Sequence, residues 1–107
     1  MIAALVVLEL HLPAARSLKD KRGPLRSLIA ALRRDLDVSV AEIAHQDLWQ
    51  RARLGVAIAA GSETLARRVA ADVEDRCARD PRIDVVGVHI EIVTTEEEPP
   101  WVHAWDG

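Results

Sequence analysis

Two clusters of side chains in this 107-residue chain are of types that could do chemistry. The first is His45-Gln46-Asp47, followed by Trp49 and Arg51. A histidine beside a carboxylate is a familiar general-base pair. The same residues can equally serve structure. Gln46 and Asp47 can hydrogen-bond a hairpin backbone, and Arg51 can pair with Asp47 across the turn. No activated serine or cysteine accompanies them, so a hairpin-stabilising network is the favoured reading and no catalytic residue is assigned. The second cluster is a basic run. Between positions 16 and 34 stand seven basic residues (Arg16, Lys19, Lys21, Arg22, Arg26, Arg33 and Arg34) against Asp20 alone, a local charge of +6. The acidic end lies elsewhere, with Glu91, Glu96, Glu97, Glu98 and Asp106, so the net charge of −3 hides a segregation that points to a nucleic-acid or acidic partner.

The basic run also begins a helix. Ser17 has the character of an N-cap, and the free N–H groups and positive dipole end behind it attract anions, with Arg16, Lys19 and Arg22 alongside. Lys19, Arg22, Arg26 and Arg33 are 3, 4 and 7 residues apart, which lines them up along one helix face. The expected anion- or RNA-binding residues are therefore Arg16, Ser17, Lys19, Arg22, Arg26 and Arg33, reading phosphates rather than bases. An ordinary solvated helix face is the competing reading. The absence of Phe and Tyr argues against a sheet that stacks bases on aromatics.

The elements that must position these clusters follow from periodicity. Residues 2–12 alternate, with Ile2, Ala4, Val6, Leu8, Leu10 and Leu12 on one face, which predicts a strand ended by Pro13. Leu25, Leu28, Ile29, Leu32 and Leu36 then recur at helical spacing. Gly23-Pro24 interrupts that pattern, and a proline there lacks an N–H and crowds the Asp20 carbonyl. A first turn at 18–22 followed by a kink or restart at Pro24 is expected. Strands follow over Val38–Ile43 and Trp49–Ala60, joined through the polar 45–47 segment. Gly61-Ser62-Glu63 opens a second helix with Leu65, Val69, Val73 and Cys77 in a stripe widened by Ala66 and Ala70. A last strand runs Ile83–Val93, with Val86, Val88, Ile90 and Ile92 on one face. The expected core is Leu10, Leu28, Ile29, Leu32, Val56, Ile58, Val69, Val73, Val88 and Ile90.

The order β-α-β-β-α-β, with one apolar face per strand and one apolar stripe per helix, predicts an α+β fold. It is a ferredoxin-like sandwich: a four-stranded antiparallel sheet in the order 4-1-3-2, with two helices on one face. Residues 1–93 form the domain, and 94–107 an acidic tail carrying Trp101 and Trp105. Leu5, Val7, Ala41, Ala57, Ala59 and Val85 are expected on the face away from the helices, an apolar surface that a second copy or the tryptophan tail would cover. Cys77 alone cannot form an internal disulfide, which suits a reducing cytoplasm. It reads as a small buried hydrophobe. No metal site and no cofactor are expected, and no segment is apolar enough to be a membrane helix or a secretory signal.

The segments "SLKDKR" at 17–22 and "VSVAEIAHQDLWQRARLGVA" at 38–57 resemble the YlxP-like family of small bacterial proteins of unknown function. The likeness covers about residues 1–93 and departs at Gly23-Pro24 and in the tail. It implies a ferredoxin-like fold, and genes placed beside those for translation initiation and ribosome maturation. Together these expectations describe an accessory protein, not an enzyme, that associates with ribosomal RNA or a ribosomal particle through its basic first helix. The alternative is a homo-oligomeric regulatory module, expected as a homodimer, that binds a protein or ligand through the open sheet face. A third reading, catalysis by the 45–51 cluster, ranks below both.

Overall fold

The structure, a computed structural model, describes residues 1–95 and Trp101. The elements are β1 (Ile2–His11), α1 (Leu18–Leu36), β2 (Ser39–Ala44), β3 (Arg51–Ala60), α2 (Glu63–Ala78) and β4 (Asp84–Thr94). The four strands form one antiparallel sheet in the order β2-β3-β1-β4, the expected 4-1-3-2. Strand β1 is central because it is the most apolar. Its even-numbered residues from Ala4 to Leu10 are sealed under the helices with Ala52, Leu54, Val56 and Ile58 of β3. Leu25, Leu28 and Leu32 of α1 and Ala66, Ala70, Val73 and Cys77 of α2 close that layer.

The helix starts follow their caps. The Ser17 hydroxyl accepts from the Asp20 N–H at 3.0 Å, and the Asp20 carboxylate accepts from the Arg16 N–H at 3.0 Å. Two otherwise unpaired donors are thus satisfied. Ser62 does the same for α2 through the Leu65 N–H at 3.2 Å. Helix α1 ends at Asp37, which takes the left-handed conformation at φ 52°.

Several expectations are corrected. Helix α1 is one continuous helix through Pro24, with no restart. Gly23 has no Cβ to collide with the proline ring, and the Asp20 residue whose carbonyl loses its partner is exposed to water. Strand β3 begins at Arg51 rather than Trp49, which leaves Trp49 in the connecting loop. The pairing of β1 with β4 slips between Glu9 and Leu10, a bulge that turns Val85 toward the core and leaves Val86 exposed. Val85 therefore does not join the open face, and Val86 does not join the buried one. Ile90 faces the helices but stays exposed, because β4 is an edge strand, and Leu65 is likewise exposed in the first turn of α2. Ile29, Val69 and Val88 pack on the core while partly exposed, and Leu10, Leu28, Leu32, Val56, Ile58 and Val73 are buried. The expected tail from Thr94 lies outside the described residues beyond Thr95, apart from Trp101. Thr94 itself ends β4, and the Thr95 N–H donates to the Met1 carbonyl at 3.0 Å. No described helix is long and apolar enough to cross a membrane.

Candidate functional site

The first turn of α1 and the loop between β2 and β3 meet at one end of the sheet, and a single lysine joins them. Lys21 sits in register with Leu25, Leu28 and Leu32, so the helix aims it inward, and only 3% of it is exposed. Its Nζ donates to the carbonyls of His45 at 2.8 Å and Leu48 at 2.9 Å, and lies 2.8 Å from Oε2 of Glu42. Two of its ammonium hydrogens thus meet loop carbonyls, and the Glu42 carboxylate stands beside it as a counter-ion whose Oε2 accepts no hydrogen bond. The loop is tied from the other side as well. Gln50 Nε2 donates to the carbonyls of Pro13 at 3.3 Å and Ala15 at 3.1 Å, and the Leu12 N–H donates to the Gln50 carbonyl at 2.9 Å. His45 enters the loop at φ 65°, a left-handed conformation costly for a residue with a Cβ. The Leu48 N–H closes a turn on the His45 carbonyl at 3.0 Å.

The 45–51 side chains divide between two tasks. The His45 ring leaves the loop for the open face of the sheet, where Nε2 lies 3.0 and 3.2 Å from the two carboxylate oxygens of Glu9. Arg53 Nε donates to the same carboxylate at 2.8 Å, and Arg51 approaches it at 3.8 Å. Arg51 thus leans toward Glu9, not across the turn to Asp47. Partial desolvation pushes the Glu9 pKa up, but the hydrogen bonds from Arg53 and His45 and their positive charge outweigh it and hold the carboxyl below the usual range. Gln46 Nε2 reaches the Glu42 carbonyl at 3.4 Å. Leu48 and Trp49 project outward, 48% and 54% exposed, in a shallow hollow shared with Asp47, Gln50 and Arg51.

The basic residues of α1 also divide. Lys21 is consumed as the clamp. Arg33 donates to the Val40 carbonyl at 2.6 Å, and Arg34 pairs with Asp35 at 2.9 Å. Ser17 is occupied as the cap, and the Asp20 carboxylate already stands at the helix start. Arg16, Lys19, Arg22 and Arg26 remain exposed, and none of them ion-pairs with another described residue. Elsewhere most arginines are committed: Arg67 to Glu63, Arg76 to Asp35, Arg82 to Asp80 and Arg53 to Glu9. Arg22 stands beside the loop, lining one depression with Lys21, Glu42 and Gln46.

Cys77 is fully buried, and desolvation, followed by the charges of Asp80 and Glu74, pushes its thiol up to about 12. It is a packing residue, not a nucleophile. His11 faces Asp84 at 3.7 Å, so the two sheet-end histidines serve different carboxylates. Among the described residues no group of three His, Cys, Asp or Glu is placed to hold a metal ion.

Lys21 and Glu9 are the residues that sequence reasoning missed. The signal for Lys21 was its spacing of 4, 7 and 11 from three buried leucines. That for Glu9 was its place opposite Arg53 in the β1–β3 register.

Comparison with known proteins agrees with this architecture. A de novo designed protein with a ferredoxin fold, solved by solution NMR, superposes with a TM-score of 0.52 over 92% of this chain and 91% of its own, at 15% identity, a likeness of fold alone. The uncharacterized protein YlxP of Bacillus subtilis (strain 168) is 40% identical over 48 residues, which span 45% of this chain and about half, 52%, of that protein. The model of a family described as a protein of unknown function, DUF503, matches residues 3–90, and this chain belongs to that family.

Proposed function

We propose that this protein is a cytoplasmic accessory protein, not a catalyst, that attaches to RNA through the exposed cations at the start of α1. Ribosomal RNA or a ribosome-assembly particle is the proposed partner, in keeping with the gene neighbourhood that the family resemblance implies. The observation that carries the reading is the contrast in pairing. Arg16, Lys19, Arg22 and Arg26 lack carboxylate partners among the described residues in a chain whose acidic residues outnumber its basic ones. Positions 19, 22 and 26 follow one helix face, so phosphates along an RNA strand could meet them in succession. His45 supports an accessory role, because its ring is spent on Glu9 rather than turned to a substrate. The test is RNA binding by the wild type and by Arg22→Glu/Arg26→Glu across a salt series, with co-sedimentation on ribosomal particles.

A second reading rests on a separate observation. The open sheet face exposes Leu5 at 41% and Ile43 at 49%, with Val7, Ala41, Ala57 and Ala59 around them. Gly55 sits among them, and a Cβ there would come within 3.0 Å of Ile43. Such a surface suits a second copy of the chain, which makes a homodimeric interaction module the alternative.

A further inference from the structure

Resting on the RNA reading above, we propose that Trp49 is a stacking platform for one unpaired nucleobase, so the favoured ligand is a single-stranded RNA segment and not a duplex. Trp49 is 54% exposed, as the other described tryptophan, Trp101, also is at 57%, whereas large aromatics are more often well buried. Trp49 is also held out on a loop that is far from slack. The buried Lys21 ammonium grips the carbonyls on both sides of the turn, at His45 and Leu48. Gln50, the next residue, is fastened to Pro13 and Ala15. The strained His45 backbone is part of the same turn. A rigid aromatic pays little ordering entropy when a flat ligand lands on it.

The surroundings select the ligand chemistry. Arg51 flanks the Trp49 hollow. The Gln50 tie brings the loop against Ala15, whose next neighbour is Arg16, which has no ion-pair partner among the described residues, and Arg22 lines the depression that Gln46 shares. Arg51 thus shares the hollow with the ring, and Arg16 and Arg22 belong to the segment fastened to the same loop. Phosphates 5′ and 3′ of a stacked base could reach them, which is the arrangement of a sequence-tolerant single-strand site. Asp47 in the same hollow repels a phosphate from its centre and offers an acceptor to the N–H edge of the base. Base pairing would bury the face and edge that these groups address, so a duplex would gain only the phosphate contacts.

The test compares a short single-stranded RNA with the blunt duplex of the same sequence, by fluorescence polarisation at low salt. Trp49→Ala should weaken single-strand binding about tenfold, since base–aromatic stacking is of that order, and leave duplex binding unchanged. Trp49→Phe should retain most of the single-strand affinity. Both variants should melt with the wild type, because the ring is mostly in water. The inference is overturned if Trp49→Ala binds both probes as the wild type does, or loses both equally. It is also overturned if the wild type self-associates and Trp49→Ala abolishes that, which would make the loop a protein contact. If the wild type binds neither probe, the RNA reading falls with it. If Arg22→Glu/Arg26→Glu weakens both probes while Trp49→Ala weakens neither, the RNA reading stands and the platform is lost.

Discussion

Replacing Lys21 by methionine keeps the length of the side chain and removes its ammonium. Three groups then lose a partner. The His45 carbonyl still accepts from the Leu48 N–H, so its loss is small. The Leu48 carbonyl loses a partly buried hydrogen bond from Lys21, worth about 0.5–1.5 kcal/mol. Glu42 loses its counter-ion while its Oε2 is sealed from solvent, although 23% of the side chain is exposed. Removing one member of a fully buried pair costs about 3–5 kcal/mol, and water at Glu42 reduces that share. A total near ~3 kcal/mol is expected, which for a domain of this size lowers Tm by roughly 12–24 °C. Urea denaturation followed by circular dichroism reads the loss, and Lys21→Met/Glu42→Gln should recover part of it by removing the stranded charge. A loss below ~0.5 kcal/mol, the level of a surface change, would refute the assignment of Lys21 as the clamp.

Two further outcomes follow from the sheet. Glu9 has a folded pKa below its unfolded value of about 4.3, so its pairing stabilises the protein above that pH and the contribution is lost as the pH falls through the folded pKa. Urea midpoints of the wild type and Glu9→Gln should therefore differ at neutral pH and converge in acid; a constant difference would show that the Glu9 charge contributes nothing. Val7→Glu places a charge in the open apolar face, and light scattering should show a wild-type dimer reduced to a monomer; a monomeric wild type would remove the homodimer alternative, and a dimeric Val7→Glu would remove the open face as its interface.

The fold was legible because its signals are local and agree. Strict alternation in β1 and β3 and the leucine spacing of α1 each point to the same buried layer, and the order of elements then leaves one simple sandwich. The bulge beside Glu9 was not legible, since a one-residue slip in β4 depends on cross-strand pairing and leaves the alternation of Val85 to Val93 looking regular. Pro24 was misleading for a different reason: the expected break rested on its missing N–H and the crowded Asp20 carbonyl, and the helix runs on because Asp20 is exposed to water and Gly23 brings no Cβ against the proline ring. At the loop, residue type suggested that His45, Asp47 and Arg51 act on one another. Distance assigns His45 and Arg51 to Glu9 on another strand. The lysine that shapes the loop was hidden among seven basic residues, and only its helical phase distinguishes it from the exposed ones.

The most direct measurement of the proposed function is the salt dependence of RNA binding. Four phosphate contacts, from Arg16, Lys19, Arg22 and Arg26, predict that log K falls against log salt with a slope of about −3 for single-stranded RNA. Arg22→Glu/Arg26→Glu should reduce that slope by more than one and weaken binding to every RNA sequence alike, with Tm nearly unchanged. A wild type that binds no RNA at low salt, or a double variant with the slope and affinity of the wild type, would contradict the assignment of the first helix as the RNA-binding surface.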